Sequence, residues 1–267
     1  MLAKRVRLNR LFSSPSGRLV TVAIDHPIAF SYDINPHLYR VRDLLPRIAE
    51  CPPDAVTMMK GTAVHCWEPF AGRIPLIVQT SCFTPGMPTR DHQFGFVEDA
   101  LRLGAEAIAM TITVGTEAQG DGLTMLGRLV SDAAPAGLPV VAHIYPKGEL
   151  VPKGERYTAR WSRYAARVGA EVGVDLVKTD YTGSAESFRE VVDACAVPVV
   201  AAGGQRLDSF RDVLAMAQGV VEAGGAGLTL GRNVWASGDV AGAIRALKAV
   251  VHDGASVDDA LSLCPGA

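Results

Sequence analysis

The sequence predicts a closed, parallel (β/α)8 barrel, and three observations carry that reading. Eight short β-rich runs recur along the 267 residues. Stretches with helical periodicity separate them, and alternation of strand and helix implies parallel strands joined by helical crossovers. No Gly-x-Gly-x-x-Gly follows the first run, which weighs against a doubly wound open sheet.

The runs come in the following order. RLVTVAID (18–25) alternates Val20, Val22 and Ile24 against Thr21, Ala23 and Asp25, as a strand with two unlike faces does. DAVTMMKG (54–61), IPLIVQT (74–80) and AEAIAMTITV (105–114) complete the first half. LPVVAHIY (138–145), VDLVKTD (174–180), VPVVAAGG (197–204) and AGLTLG (226–231) complete the second. In the last run Leu228 and Leu230 oppose Gly227, Thr229 and Gly231; in the sixth, Val174, Leu176 and Lys178 share a side. Bulky apolar side chains are expected to pack outward on helices, leaving smaller or polar ones toward the barrel axis.

Helices are expected at RDLLPRIAE, FVEDALRLG, LTMLGRLVSDAA, TARWSRYAARVG, AESFREVVDAC, DSFRDVLAMAQGVVEAG and VAGAIRALKAVV. In the sixth of these, Phe210, Val213, Leu214, Ala217 and Val221 fall near helical spacing, and Gly224 and Gly225 end it. Ser184 precedes a carboxylate-bearing first turn and reads as an N-cap.

Composition excludes several classes. With 48% hydrophobic and 20% charged residues and a net charge of −2, the chain has globular composition and no overall pull toward nucleic acid or an anionic membrane. No apolar run reaches the ~18 residues of a membrane span. The basic N-terminus, MLAKRVRLNRLF, lacks the apolar stretch of a secretory signal. Cys51, Cys66, Cys82, Cys195 and Cys264 are odd in number, scattered and free of Cys-x-x-Cys, which suits reduced thiols in a cytoplasm. The six histidines form no ligand triad, so neither a metal nor a cofactor is expected. No Pro/Gly/Ser-rich linker divides the chain, so residues 1–267 are expected to form one barrel domain, with 1–15 as an N-terminal extension. PKGELVPKGER (146–156) is expected to be a mobile loop over the barrel mouth.

Barrel enzymes keep their chemistry at the C-terminal strand ends, where Asp25, Tyr145, Lys178 and Gly203 fall. Of six lysines, only Lys60 and Lys178 lie at such an end. An amine attacks a carbonyl only when unprotonated, and at an ordinary pKa roughly one in 2,500 is neutral at pH 7. Burial that lowers the pKa to about 7–8 raises that fraction to roughly a tenth to a half. Either lysine is therefore a Schiff-base nucleophile or a side chain snorkelling to water. Tyr145 is a proton donor or acceptor, or a core tyrosine with a satisfied hydroxyl. Asp25 follows an apolar strand, a costly place for a carboxylate that is neither paired nor used. His26 and His143 stay undecided between substrate contact and structure. Gly203 and Gly204 after the seventh run, and Gly231 with Arg232 after the eighth, fit a phosphate site, because glycine admits close backbone approach and arginine offers a charge-assisted fork.

AIDHP, HIYPKG, VKTDYTG, AAGGQ and LTLGRNVW together resemble, in order and spacing, the archaeal-type class I fructose-bisphosphate aldolases, a family of (β/α)8 barrels that includes the aminodideoxyheptulosonate synthases. The resemblance spans roughly residues 15–255 and is most specific over 175–204. It implies that Lys178 forms the Schiff base, Tyr145 donates or accepts the proton and Asp25 assists. It further implies that Gly203, Gly204, Gly231 and Arg232 hold a substrate phosphate, and that residues 25–29 (His26 among them) and Lys147 line the substrate site. The implied activity is a metal-independent aldolase or transaldolase acting on a phosphorylated ketose-type substrate, in a homo-oligomer. The implied donor is dihydroxyacetone phosphate, with a phosphorylated or amino-acid-derived aldehyde, such as aspartate semialdehyde, as acceptor. A lysine-dependent retro-Claisen acyl transfer and a non-catalytic sugar-phosphate-binding barrel are the alternatives. Three departures touch the substrate mouth and so bear on the acceptor. Asp25-His26-Pro27 stands for the family's Asp-His-Gly, Tyr145-Pro146-Lys147-Gly148 for its Tyr-Pro-Arg-Gly, and Gln205 follows the glycine pair where a proline or basic residue is usual.

Overall fold

Eight parallel strands close on themselves in the computed structural model, which describes residues 2–30, 36–204 and 207–266. The barrel strands, counted here from first to eighth, are Leu19–Ala23, Ala55–Met59, Leu76–Gln79, Ala107–Val114, Val140–Pro146, Leu176–Asp180, Val199–Ala202 and Gly227–Leu230. Each pairs with the next, and the eighth closes on the first through Leu19↔Gly227 and Val22↔Leu230. Gly227 (φ +127°) is required at that seam: a Cβ there would run into the Leu19 backbone.

The alternation read from the sequence holds at the barrel wall. Val20, Val22, Ile24, Leu228 and Leu230 join the outer core, where the strands meet the helices. Thr21, Asp25, Thr229 and Gly231 fall on the opposite face. The expectation that bulky residues avoid the axis fails at the bottom. There Leu19, Ile77, Val141, Leu176 and Val200 form a second apolar cluster with Ala55, Ala107 and Ala109, because the lower interior has no other filling. Leu11, at the end of a helix over Leu2–Leu11, is 0% exposed in that same cluster, and Phe12 packs against it. Val174, placed by sequence on the face of Lys178, instead packs in the outer cluster, since the strand begins only at Leu176.

The seven expected helices are present, among them Val41–Ala49, Ala159–Val172, Phe210–Glu222 and Val240–Asp253. The Ser184 hydroxyl accepts from Ser187 N at 3.1 Å, the cap its position suggests. Sequence reasoning missed the Leu2–Leu11 and Val257–Ser262 helices and an antiparallel hairpin, Ser81–Thr84 with Met87–Gln93, that follows the third strand. It also ran the second strand through Lys60, which in fact opens a short helix, Lys60–Cys66. No described helix is long and apolar enough to cross a membrane.

Candidate active site

A cavity of about 220 Å³ opens at the C-terminal ends of the strands, and all nine residues singled out as site residues line it: Asp25, His26, Tyr145, Lys147, Lys178, Gly203, Gly204, Gly231 and Arg232. Gln205 lies outside the described residues. Lys60 takes no part: its ammonium sits 2.9 Å from Asp99 Oδ2, away from the cavity, so of the two strand-end lysines one is structural.

Lys178 points inward from the sixth strand in register with His143 of the fifth and Val200 of the seventh, and is only 6% exposed. Desolvation lowers its pKa, because burial penalises the ammonium more than Asp25 and Asp180 support it. Asp25, at the end of the first strand, faces two imidazoles: His26 Nδ1 at 3.5 Å and His143 Nδ1 at 3.8 Å. Burial pushes His26 down to about 4 and His143 well below the ordinary imidazole value, with Lys178 contributing in both cases. Both rings are therefore neutral at pH 7. The Tyr145 phenol is held well above 10 by desolvation, then by the nearby Asp180 and Asp25 carboxylates, so it keeps its proton.

The seventh and eighth strands supply the glycine-lined wall. Arg232 donates to Gly204 O at 2.6 Å, and Asn233 Nδ2 donates to Gly203 O at 3.0 Å while its Oδ1 accepts from Leu207 N at 3.1 Å. Two loops are thus pinned as one cradle, with Gly204 at φ +60°, a conformation that favours glycine. Gly203 spends its own N–H on Thr229 O at 3.3 Å, so its part is close approach rather than donation. At Gly231 a Cβ would collide with the His26 ring, which in turn stands edge-on to Trp235 at 5.6 Å. Trp235 is fixed by its indole N–H to Ala23 O at 3.0 Å.

The rest of the cavity lining includes groups that sequence reasoning passed over. Asp180, two residues beyond Lys178 on the same strand face, is 1% exposed and accepts from Arg156 Nε at 2.9 Å and from its Nη2 at 3.4 Å. Burial raises the Asp180 pKa against the pull of Arg156. Arg156 lies in the loop after the fifth strand, and its guanidinium lies 4.9 Å from the Tyr157 ring centroid. From the same loop, Lys147 lies over the Phe83 ring at 2.9 Å, and desolvation followed by Arg156 takes it down to about 8. Phe83 and Cys82 enter the cavity from the hairpin. Strand alternation alone could have flagged Asp180; nothing in the local sequence marks Arg156 or Phe83. All five cysteines are free thiols, and burial pushes Cys82 up to about 12, so it is inert as a nucleophile at neutral pH. Among the described residues, no group of three or more His, Cys, Asp or Glu is arranged to hold a metal ion.

Comparison with known proteins gives consistent relatives. The family model described as DeoC/LacD family aldolase matches residues 19–237. A 2-amino-3,7-dideoxy-D-threo-hept-6-ulosonate synthase from Halobacterium salinarum is 35% identical over 261 residues, covering 97% of this chain and 95% of its own. A 2-amino-4,5-dihydroxy-6-oxo-7-(phosphonooxy)heptanoate synthase from Streptomyces griseus is 29% identical, covering 94% and 91%. Among solved structures, an archaeal fructose 1,6-bisphosphate aldolase superposes with a TM-score of 0.85 at 30% identity, covering 94% of this chain and 100% of that one. A second such aldolase, with its catalytic lysine covalently bound to the carbinolamine intermediate of the substrate, gives 0.84 at 29% identity, covering 93% and 99%.

Proposed function

The chain belongs to the DeoC/LacD aldolase family, whose chemistry runs through a Schiff base, and we propose that within it Lys178 condenses with the ketone of dihydroxyacetone phosphate. The observation that carries this is an inward amine, only 6% exposed, that shares one cavity with Asp25, Tyr145 and a glycine-lined wall. The neutral amine adds to the carbonyl to give a carbinolamine. Tyr145, which holds its proton, donates it to the departing hydroxyl, and water leaves. The resulting iminium withdraws electrons, so the Tyr145 phenolate takes a proton from the donor's hydroxymethyl carbon and an enamine forms. The enamine carbon attacks the acceptor aldehyde, Tyr145 or Asp25 moves the proton that the new alkoxide needs, and water hydrolyses the iminium to free Lys178. Gly204, Gly231 and Arg232 hold the donor phosphate, fixing the ketone over the amine.

The acceptor is a phosphorylated or amino-acid-derived aldehyde. The product names of the two relatives above favour the second kind. A 2-amino-4,5-dihydroxy-6-oxo-7-phosphonooxy chain of seven carbons arises when dihydroxyacetone phosphate adds to a four-carbon amino-acid semialdehyde. Incubation with dihydroxyacetone phosphate and aspartate 4-semialdehyde or glyceraldehyde 3-phosphate, followed by mass analysis, tests the reading. A phosphate ester of the summed mass, formed equally in the presence of a chelator and absent with Tyr145→Phe, is expected. Failure to form an adduct with either aldehyde, or dependence on added divalent metal, contradicts it.

A further inference from the structure

Resting on that reading, we infer that the Arg156–Asp180 ion pair is the acceptor's specificity element, opening to take a zwitterion: Asp180 receives the α-ammonium of an amino-acid semialdehyde and Arg156 its α-carboxylate. The starting point is a charge that stability does not account for. A carboxylate 1% exposed, held by one guanidinium, gains little or nothing over an apolar pair of the same shape. Asp180 sits on the cavity wall two residues from Lys178, in register with Ala202, the residue before the glycine pair. The donor phosphate has its cation at Arg232, and no step of donor activation uses the Arg156–Asp180 pair, which leaves the pair for the other substrate.

The pair also selects what can enter. A zwitterion inserted into it leaves four charges in alternation, with none unmatched. A phosphorylated acceptor would take Arg156 and strand the Asp180 carboxylate, buried and facing a second anion. A neutral aldehyde would find a closed pair and no reason to open it. Arg156 comes from the loop after the fifth strand, and its side chain is 37% exposed, so the guanidinium can shift while Asp180, on the strand, stays. Lys147, just after the fifth strand and lining the same cavity, stands ready as a second cation for the carboxylate.

The test uses dihydroxyacetone phosphate as donor and three acceptors: aspartate 4-semialdehyde, succinate semialdehyde, which is the same aldehyde acid without the ammonium, and glyceraldehyde 3-phosphate. The native enzyme is expected to prefer aspartate semialdehyde over succinate semialdehyde by tenfold or more in kcat/KM, and equal rates overturn the inference without any variant. Asp180→Asn is expected to lower that preference at least tenfold; an unchanged ratio overturns it. The double variant Asp180→Asn/Arg156→Gln, which replaces the pair with two neutral amides, gives the same reading if the single change disturbs folding. A native preference for glyceraldehyde 3-phosphate over aspartate semialdehyde also counts against the assignment. Borohydride trapping with donor alone separates the two levels. A native protein that forms no donor adduct refutes the aldolase reading itself, whereas an adduct with a flat acceptor profile refutes only the role given to Asp180 and Arg156.

Discussion

Lys178 is one of six lysines, and its surroundings rather than its spacing set it apart. Strand-end position alone grouped it with Lys60, and only the family resemblance singled it out; burial separates the two as well, since Lys60 reaches Asp99 near the surface and Lys178 is sealed in. Because the folded pKa of Lys178 lies below its ordinary 10.5, the folded state binds fewer protons there than the unfolded one, and carrying the ammonium costs stability at neutral pH. Lys178→Met is therefore expected to abolish activity while raising the midpoint of thermal unfolding, by roughly 2 °C or more for each 1 kcal/mol relieved. A fall in the midpoint would show that Asp25 and Asp180 need the charge. His26 works by the same linkage. Its folded value is about 4 against 6.5 unfolded, so the unfolded chain holds more protons between those values and acidification through that window withdraws stability. Thermal melts from pH 7 to pH 4 are expected to fall less steeply for His26→Gln than for the native protein. Asp180 and Arg156 show what a residue-level reading misses. A carboxylate in VKTDYTG is legible as an inward position, but its partner arrives from a loop 24 positions earlier, which no local pattern encodes.

At the scale of elements, the strands were legible because β-branched runs repeat between helical ones, and their registers follow from closing eight of them. The two accessory pieces were not. The hairpin Ser81–Thr84/Met87–Gln93 is short and polar, with a Pro85-Gly86 turn as its main local signal, yet it delivers Phe83 and Cys82 to the cavity. The helix Leu2–Leu11 looked like a basic extension because Lys4, Arg5, Arg7 and Arg10 interrupt its apolar residues. Its last residue does the packing: Leu11 closes the barrel floor among Leu19, Ile77, Leu176 and Val200. Leu11→Ala leaves a cavity there and is expected to cost about 2–5 kcal/mol. Denaturant unfolding measures the loss, and kcat should stay close to native at temperatures where the variant is folded, since the floor lies at the opposite end from the chemistry. A large drop in kcat without loss of stability would contradict that division.

For the molecule as a whole, the closed barrel divides the labour between its ends. Apolar layers and the Leu11 plug fill the bottom. One flank of the top, after the seventh and eighth strands, offers glycine loops and Arg232. The other, after the fifth and sixth, offers Lys147, Arg156 and Asp180, with Lys178 between them. The sequence alone carries the barrel and the glycine flank of this arrangement, because glycine clusters and strand-end residues are local features. The Arg156–Asp180 pair joins a loop residue to a strand residue only after folding, which is why it stayed hidden. The chemistry turns on which side chain becomes covalently bound to substrate. Sodium borohydride reduction in the presence of dihydroxyacetone phosphate, followed by peptide mapping, answers that directly. The reduced donor adduct is predicted on the peptide containing Lys178, and absent from Lys178→Met. An adduct on Lys147 or Lys60, or turnover without any trapped adduct, would contradict it.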